Sequence, residues 1–263
     1  MNAEHSPLHR WADELETHLS SLTRLGLDRV VVLAETASTQ DAAARHAGGK
    51  PGLLCITGRQ TGGRGRLGRA WLDDKGLGLA MTLALPELAG NVPLPLAAGV
   101  AVAEAIATPE TTHRIGLRWP NDVVDRVSKR KVAGILIERA EGLTLLGIGI
   151  NTHQSESDWQ GAKIETAISL QELDVPVDRL ELASIVLTQL DQTLGDSPES
   201  LLARWHARDT LTGTRQMFEH NGTRYEGIVE SIDPSSTLIV RTNAGLVRLP
   251  ALTTSMVHHE PRP

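Results

Sequence analysis

The sequence predicts an α+β protein, with one large domain of strands and helices followed by a small all-β module. Three observations carry this. From Arg29 onward, short apolar runs of strand length alternate with longer segments of helical character. After Gly213 the texture changes to short apolar runs cut by turn signals. At 263 residues, 40% of them hydrophobic, the chain suffices for one sizeable core and an appendix. With one Phe and one Tyr, that core is built from Leu, Val, Ile and Ala.

Residues 7–25 carry Leu8, Trp11, Leu15, Leu19 and Leu22 at helical spacing, which predicts one short amphipathic helix. One helix is too little for a helix-turn-helix domain, which needs about three. Val30–Leu33 reads as a strand. Ser38-x-x-Asp41 opens an Ala-rich helix as a capping box, and Gly48-Gly49 close it. Leu53–Thr57 is an apolar strand. Leu77, Leu79, Met81, Leu83 and Leu85 take every second position, which predicts a strand with one buried face. An Ala-rich helix over 94–108 precedes strands at 115–119, 132–138 and 143–150. Helices follow at 178–194 and 198–208, the second with Ser197 as cap and Pro198 in its first position. Beyond Gly213, runs at 216–219, 224–232, 238–242 and 246–249 are separated by Asn221-Gly222, Asp233-Pro234 and Asn243-Ala-Gly245. Asn-Gly is a strong hairpin signal, and four or five short strands here predict a small β-barrel. The chain divides into an N-terminal helix (1–27), the large domain (28–211) and the β-module (212–263).

Composition narrows the function. A net charge of −6 and a pI of about 5.9 argue against non-specific DNA binding, which depends on neutralising phosphates. Cys55 is the sole cysteine, so no internal disulfide forms and a reducing compartment fits. The N-terminus lacks the basic-then-apolar profile of a signal peptide, and no apolar run approaches the ~20 residues of a membrane span. A cytoplasmic protein with no DNA or membrane partner is expected.

Against that acidic background, Gly58–Arg69 (GRQTGGRGRLGR) packs five glycines and four arginines into one segment after a strand. Glycines let a backbone approach a ligand, and guanidinium groups bind phosphates and carboxylates with paired hydrogen bonds. The segment is expected to be an anion-binding loop that stays mobile until its charge is neutralised. Gly63-x-Gly65-x-x-Gly68 fits the dinucleotide pattern, but that pattern needs a helix starting in the loop, and none is predicted. No Lys-Ser or Lys-Thr follows, so the P-loop pattern fails. With 3% aromatic residues, stacking platforms for RNA are few.

Arg118-Trp119-Pro120-Asn121-Asp122 ends a strand, where α/β proteins place ligands, although an ordinary turn accounts for it equally. Lys131 stands at the mouth of the next strand, suited to a phosphate or to solvent. Gly147 and Gly149 bare one face of the strand ending at Asn151, consistent with a flat ligand or with close backbone packing. The ten histidines show no metal-ligand spacing, His258-His259 included, and no metal site is expected. No Ser-His-Asp or Cys-His arrangement is present.

In order, Ser38-Thr39-Gln40, Gln60, Gly62–Arg69 with Trp71, Arg118–Asp122, Lys131-Val-Ala-Gly134 and Gly147–Asn151 resemble the biotin–protein ligase family. The resemblance spans residues 29–151, and the following helices and β-module suit the family's layout. It implies a mixed sheet with flanking helices and a C-terminal SH3-like barrel. It also implies a two-step reaction: biotin and ATP give biotinyl-5′-AMP and pyrophosphate, and a lysine of a biotin carboxyl carrier domain takes the biotinyl group. Mg²⁺ is expected with ATP, held by phosphates and water.

By the same resemblance, Ser38, Thr39, Gln40 and Gln60 bind biotin, with Gly63, Arg64, Gly65, Arg66, Lys131 and Gly134. Arg64, Arg66, Arg69, Trp71, Asn121, Lys131 and Asn151 face ATP or the adenylate. Lys131, Arg64 and Arg66 stabilise developing charge, and Asp122 orients or deprotonates the acceptor lysine. Gln40 stands where Asn is frequent and Arg118 replaces a usual Lys. The family's N-terminal DNA-binding domain has no counterpart here, which implies a ligase-only type, as monomer or homodimer. Lipoate or octanoate ligation and a non-catalytic biotin- or adenylate-binding regulator remain as alternatives. The Arg-Gly loop and Lys131 weigh against them.

Overall fold

The computed structural model describes residues 7–73, 75–87 and 94–257. His258 and His259 lie outside them. After a 3₁₀ turn at Leu8–Arg10, the chain runs through α1 (Trp11–Leu19), β1 (Arg29–Leu33), α2 (Thr39–Ala47), β2 (Leu53–Thr57), β3 (Gln60–Arg64) and β4 (Ala70–Asp73). Next come β5 (Leu79–Pro86), α3 (Leu94–Ala105), β6 (Ile115–Arg118), β7 (Asp122–Asp125), β8 (Lys131–Ala140), β9 (Leu143–Ile150) and α4 (Glu156–Ala162). The chain then forms α5 (Arg179–Thr193), α6 (Pro198–Arg208), β10 (Arg215–His220), β11 (Thr223–Asp233), β12 (Thr237–Thr242), β13 (Gly245–Pro250) and β14 (Thr254–Met256).

Seven strands form one mixed sheet in the order β1-β2-β5-β9-β8-β7-β6. β1 and β2 run parallel and every other neighbouring pair antiparallel. α3 has no charged residue before Glu104 and is buried on all sides, as an apolar helix between sheet and helices must be. α1, α5 and α6 complete that layer around Trp11, Leu15, Leu187 and Trp205. α2 covers the opposite face, where Ala42, Ala43 and Ala47 meet Leu53, Cys55 and Ala84.

Three expectations are corrected. β5 is buried on both faces, since Leu79, Met81, Leu83 and Leu85 enter the large core while Ala80, Thr82 and Ala84 leave room for α2. The first helix ends at Leu19. Ser20 and Ser21 turn back onto the carbonyls of Thr17 and His18, and the Asp191 carboxylate accepts the N–H groups of Thr23, Arg24 and Leu25. Ser38 does cap α2 by accepting from Asp41 N, but the Asp41 carboxylate turns to Arg64, so the box stays half made. β7 and α4 are elements that the sequence reading did not anticipate.

The last five strands form an antiparallel sheet, β13-β12-β11-β10-β14, consistent with a small SH3-like module. Its strand order is linear, with β13 and β14 at the two ends. Phe218, Val229, Leu238, Val240 and Leu249 of this sheet join the large core. The Phe218 ring meets Trp119 edge to face at 6.5 Å and 81°.

Candidate active site

The glycine-arginine segment folds into an antiparallel ribbon. Gln60 pairs with Asp73, Gly63 with Trp71 and Arg64 with Ala70, and a 3₁₀ turn at Arg66–Gly68 makes the tip. The segment expected as a loop is therefore a paired ribbon, and no α-helix begins within it, as expected. Gly63 is a requirement of this packing: a Cβ there would stand 2.3 Å from Gln60 Nε2 and 2.7 Å from the Trp71 carbonyl.

Two adjoining cavities open between the ribbon and the sheet, and Gly65, Trp71, Asn121 and Lys131 line both. The smaller, about 40 Å³, is walled by Ser38, Thr39, Gln40, Gln60 and Arg64 over Gly134 and Gly147. Its polar groups form a chain. Thr82 Oγ1 donates to Thr39 Oγ1 at 2.9 Å, and Thr39 donates through Oγ1 (3.0 Å) and backbone N (2.8 Å) to Gln60 Oε1. Gln40 donates through Nε2 to the Leu136 carbonyl at 3.0 Å, and its buried Oε1 has no partner.

Gly147 and Gly149 bare one face of β9 as expected, but protein side chains cover it. A Cβ at Gly147 would meet Gln40 Nε2 at 2.6 Å, and one at Gly149 would meet Trp71 Cε2 at 2.6 Å. The flat group lying on the glycine face is the Trp71 indole.

The larger cavity, about 220 Å³, runs from Trp71 and Asn121 past Arg66 and Arg69 to Ser255 and Met256 of the C-terminal sheet. At its junction with the smaller one, Lys131 Nζ lies 2.6 Å from Asp122 Oδ1 and 5.3 Å from the centre of the Trp71 ring. A register shift between β7 and β8 sets Asp122 opposite Gly134. Lys131 reaches the carboxylate by crossing that glycine, where a Cβ would fall 2.6 Å from Nζ. Arg118 completes the cluster, donating through Nη2 to Asp122 Oδ2 at 2.9 Å and through Nη1 to the Lys129 carbonyl at 3.0 Å. Burial pushes the Asp122 carboxyl up, but the charges of Lys131 and Arg118 outweigh it and hold the group below the usual carboxylate range. The Arg-for-Lys departure thus keeps the charge, and the planar guanidinium reaches the Asp122 carboxylate and the Lys129 carbonyl with two separate nitrogens.

The three arginines part company. Arg64 borders only the smaller of these two cavities and is gripped by acids: Asp41 accepts at 2.8 and 2.9 Å, and Glu138 at 2.8 and 3.1 Å. Arg66 reaches across to the Ala251 and Thr254 carbonyls of the C-terminal module. Arg69 is exposed on the outer wall of the larger cavity. Asn121 donates through Nδ2 to the Ile135 carbonyl at 2.7 Å, and Asn151 to those of Lys131 (3.0 Å) and Ile168 (3.2 Å). Sequence reasoning missed Thr82, Asp41 and Glu138, which hold the expected residues in place, and the wall supplied by Ser255 and Met256.

Comparison with known proteins agrees with this geometry. Residues 32–155 match the model of the biotin/lipoate A/B protein ligase family. The chain is 34% identical over 232 residues to the biotin–[acetyl-CoA-carboxylase] ligase of Mycobacterium tuberculosis, covering 81% of this chain and 83% of that one. It is 32% identical over 239 residues to the enzyme of the same name from Paracoccus denitrificans, covering 84% and 97%. The biotin protein ligase of Aquifex aeolicus, solved with biotin and ATP, superposes with a TM-score of 0.72 at 26% identity, covering 88% of this chain and 99% of that one.

Proposed function

The chain belongs to the biotin/lipoate A/B protein ligase family, among its biotin–[acetyl-CoA-carboxylase] ligases, and on that premise we propose how its residues divide the work. It is an ATP-dependent biotin–protein ligase. The carboxylate of biotin attacks the α-phosphate of ATP, and biotinyl-5′-AMP and pyrophosphate form. A lysine amine of a biotin carboxyl carrier domain then attacks the mixed anhydride, and AMP leaves. One observation carries the division of labour: the Lys131 ammonium stands where a small cavity of amides and hydroxyls meets a larger one with an aromatic wall.

The smaller cavity suits the ureido ring. Gln60 Oε1 is taken by Thr39, which leaves its Nε2 to donate to the ureido oxygen. The unpartnered Oε1 of Gln40 is an acceptor waiting for a ureido N–H. Ser38, Gly65 and Gly134 line this cavity and supply a hydroxyl and close backbone approach, while Gly63 packs behind it against Gln60 and Trp71. Lys131 stabilises the charge that develops on the carboxylate and α-phosphoryl oxygens, as a preorganised cation does best away from water. Asp122, kept ionised by its two cations, orients Lys131; a carboxyl so acidic is better placed to orient than to abstract a proton near neutral pH. Arg64 takes the biotin carboxylate in exchange for one of its own two acids, a like-for-like replacement.

Arg66 and Arg69 face the phosphates, and Trp71 with Asn121 borders the adenylate. Asn151, its amide N–H groups spent on backbone carbonyls, offers Oδ1 to the exocyclic amine of adenine. Among the described residues no cluster of three His, Cys, Asp or Glu is placed to hold a metal. Mg²⁺ is expected to arrive with ATP, bound by phosphate oxygens and water. No helix of the described residues is long and apolar enough to cross a membrane. The buried lone cysteine supports a reducing, cytoplasmic setting.

Exchange of labelled pyrophosphate into ATP, with Mg²⁺ and with biotin, lipoate or no acid, tests the reading. Exchange with biotin is expected. Exchange with lipoate alone would make the chain a lipoate ligase, and biotin binding without exchange a regulator. Lys131→Ala is expected to keep the fold and slow exchange roughly a thousandfold or more. A near-normal rate would remove Lys131 from the mechanism.

A further inference from the structure

The cavities explain what Gln60 and Trp71 face, but not what holds the segment that carries both. Between β2 and β5 the chain leaves the sheet through β3 and β4, and the two legs of this excursion come together at its base. There, Gly76 has φ +64°, and a Cβ on it would stand 2.7 Å from the Gly58 carbonyl oxygen. Arg179 joins the two legs there. Its Nη1 reaches the carbonyls of Gly58 (2.9 Å), Gly76 (2.9 Å) and Gly78 (3.1 Å), so one guanidinium nitrogen grips both legs.

Arg179 is the first residue of α5, where the helix dipole disfavours a cation. Burial works against its charge too, while the carboxylates of Asp73 and Asp178 work for it. Its guanidinium rests 5.3 Å from the centre of the Trp11 ring. A cation kept in so unfavourable a place is held by the carbonyls, the ring and the acid facing it. Asp73 supplies the second half. It is 5% exposed, accepts from Gly78 N at 2.7 Å through Oδ1, and pairs across the ribbon with Gln60. By strand alternation it shares a face of β4 with Trp71, two residues before it.

We propose that Arg179 and Asp73 are positioning residues of the ligase reaction, a clamp on the base of the 58–78 excursion that sets Gln60 in the biotin cavity and Trp71 beside Lys131. Neither residue lines either cavity. They act through the ribbon, so loosening them displaces ligand-facing groups without removing any. The inference rests on the ligase reading of the two cavities.

The test measures KM for biotin, KM for ATP, kcat of pyrophosphate exchange and the release rate of preformed biotinyl-5′-AMP. The full chain is compared with Arg179→Lys, Asp73→Ala, the double variant and Asp73→Asn. Lysine keeps the charge but ends one bond short of the Arg179 Nη1 position that meets all three carbonyls, and the variant's melting temperature reports that the fold survives. Arg179→Lys and Asp73→Ala are each expected to raise KM for biotin about tenfold and to speed adenylate release similarly, as misplacement of a binding group does. The double variant is expected to match the worse single, because both open one clamp. Asp73→Asn retains an acceptor for Gly78 and is expected to restore both quantities to within about twofold of the natural chain.

A purely structural role would lower the amount of active enzyme and leave both KM values and the release rate unchanged. That result, in variants that fold, would overturn the clamp. An absence of biotin-dependent exchange in the natural chain would instead overturn the ligase reading itself.

Discussion

Burial pushes the Asp73 carboxyl up to about 6, against hydrogen bonds from Gly78, Leu77 and Gln60 and the charge of Arg179, which pull it down. A folded-state pKa above the unfolded one means that the folded chain binds more protons between the two values. This group therefore adds stability as pH falls from about 6 towards 4, and above 6 its ionised form costs the fold roughly 3 kcal/mol. Asp73→Asn removes that cost. Its melting temperature is expected to exceed that of the natural chain at pH 8, with the difference shrinking to nothing near pH 4. A constant difference across that range would mean that Asp73 does not titrate there. At this scale the sequence was legible where partners are local. Arg118, Asp122 and Lys131 stand at the ends of three successive strands, β6, β7 and β8, so their nearness in the chain marked them as candidates, although the contacts among them form only in the fold. Arg64 and Glu138 are 74 residues apart, and Arg179 and Gly58 are 121 apart. Nothing in local spacing reports such pairs, which form only once the sheet brings the strands together.

Among the elements, the β3–β4 ribbon concentrates the chemistry. The sequence showed its glycine- and arginine-rich composition but not its shape, because glycine and arginine carry no strand periodicity and the pairing is imposed from outside. The two ends of the ribbon are fastened differently. The base is held at Gly58, Gly76 and Gly78, and the tip by Arg66 on the Ala251 and Thr254 carbonyls. Arg66→Gly cuts the tip alone. It is expected to speed dissociation of biotinyl-5′-AMP about tenfold or more while the base keeps the ribbon folded, since a lid that cannot stay shut admits water and releases its ligand. A dissociation rate equal to that of the natural chain would show that the tip contact does not govern release. β5 was misjudged for a related reason. Alternating Leu and Met announce one buried face, whereas Ala80, Thr82 and Ala84 are silent until α2 is packed on them.

For the whole molecule, the C-terminal sheet is more than an appendix. Its β-character was legible from turn signals, but no sequence signal tied it to the site, because the tie runs through tertiary packing. Phe218 meets the Trp119 ring, Ser255 and Met256 wall the larger cavity, and none of these touches the smaller one. One continuous core links the sheet to the large domain, so both are expected to melt in a single transition. Phe218→Leu trims the shared packing at a cost of about 1–2 kcal/mol, small enough to leave the chain folded. Because Trp119 and Pro120 line the larger cavity and not the smaller, the variant is expected to raise KM for ATP several-fold and leave KM for biotin unchanged. Equal rises in both constants would mean that the sheet acts on the site as a whole, through the ribbon tip that Arg66 fastens to it. A rise confined to ATP assigns the sheet to the nucleotide cavity, where a mixed anhydride must be kept from water until the acceptor lysine arrives.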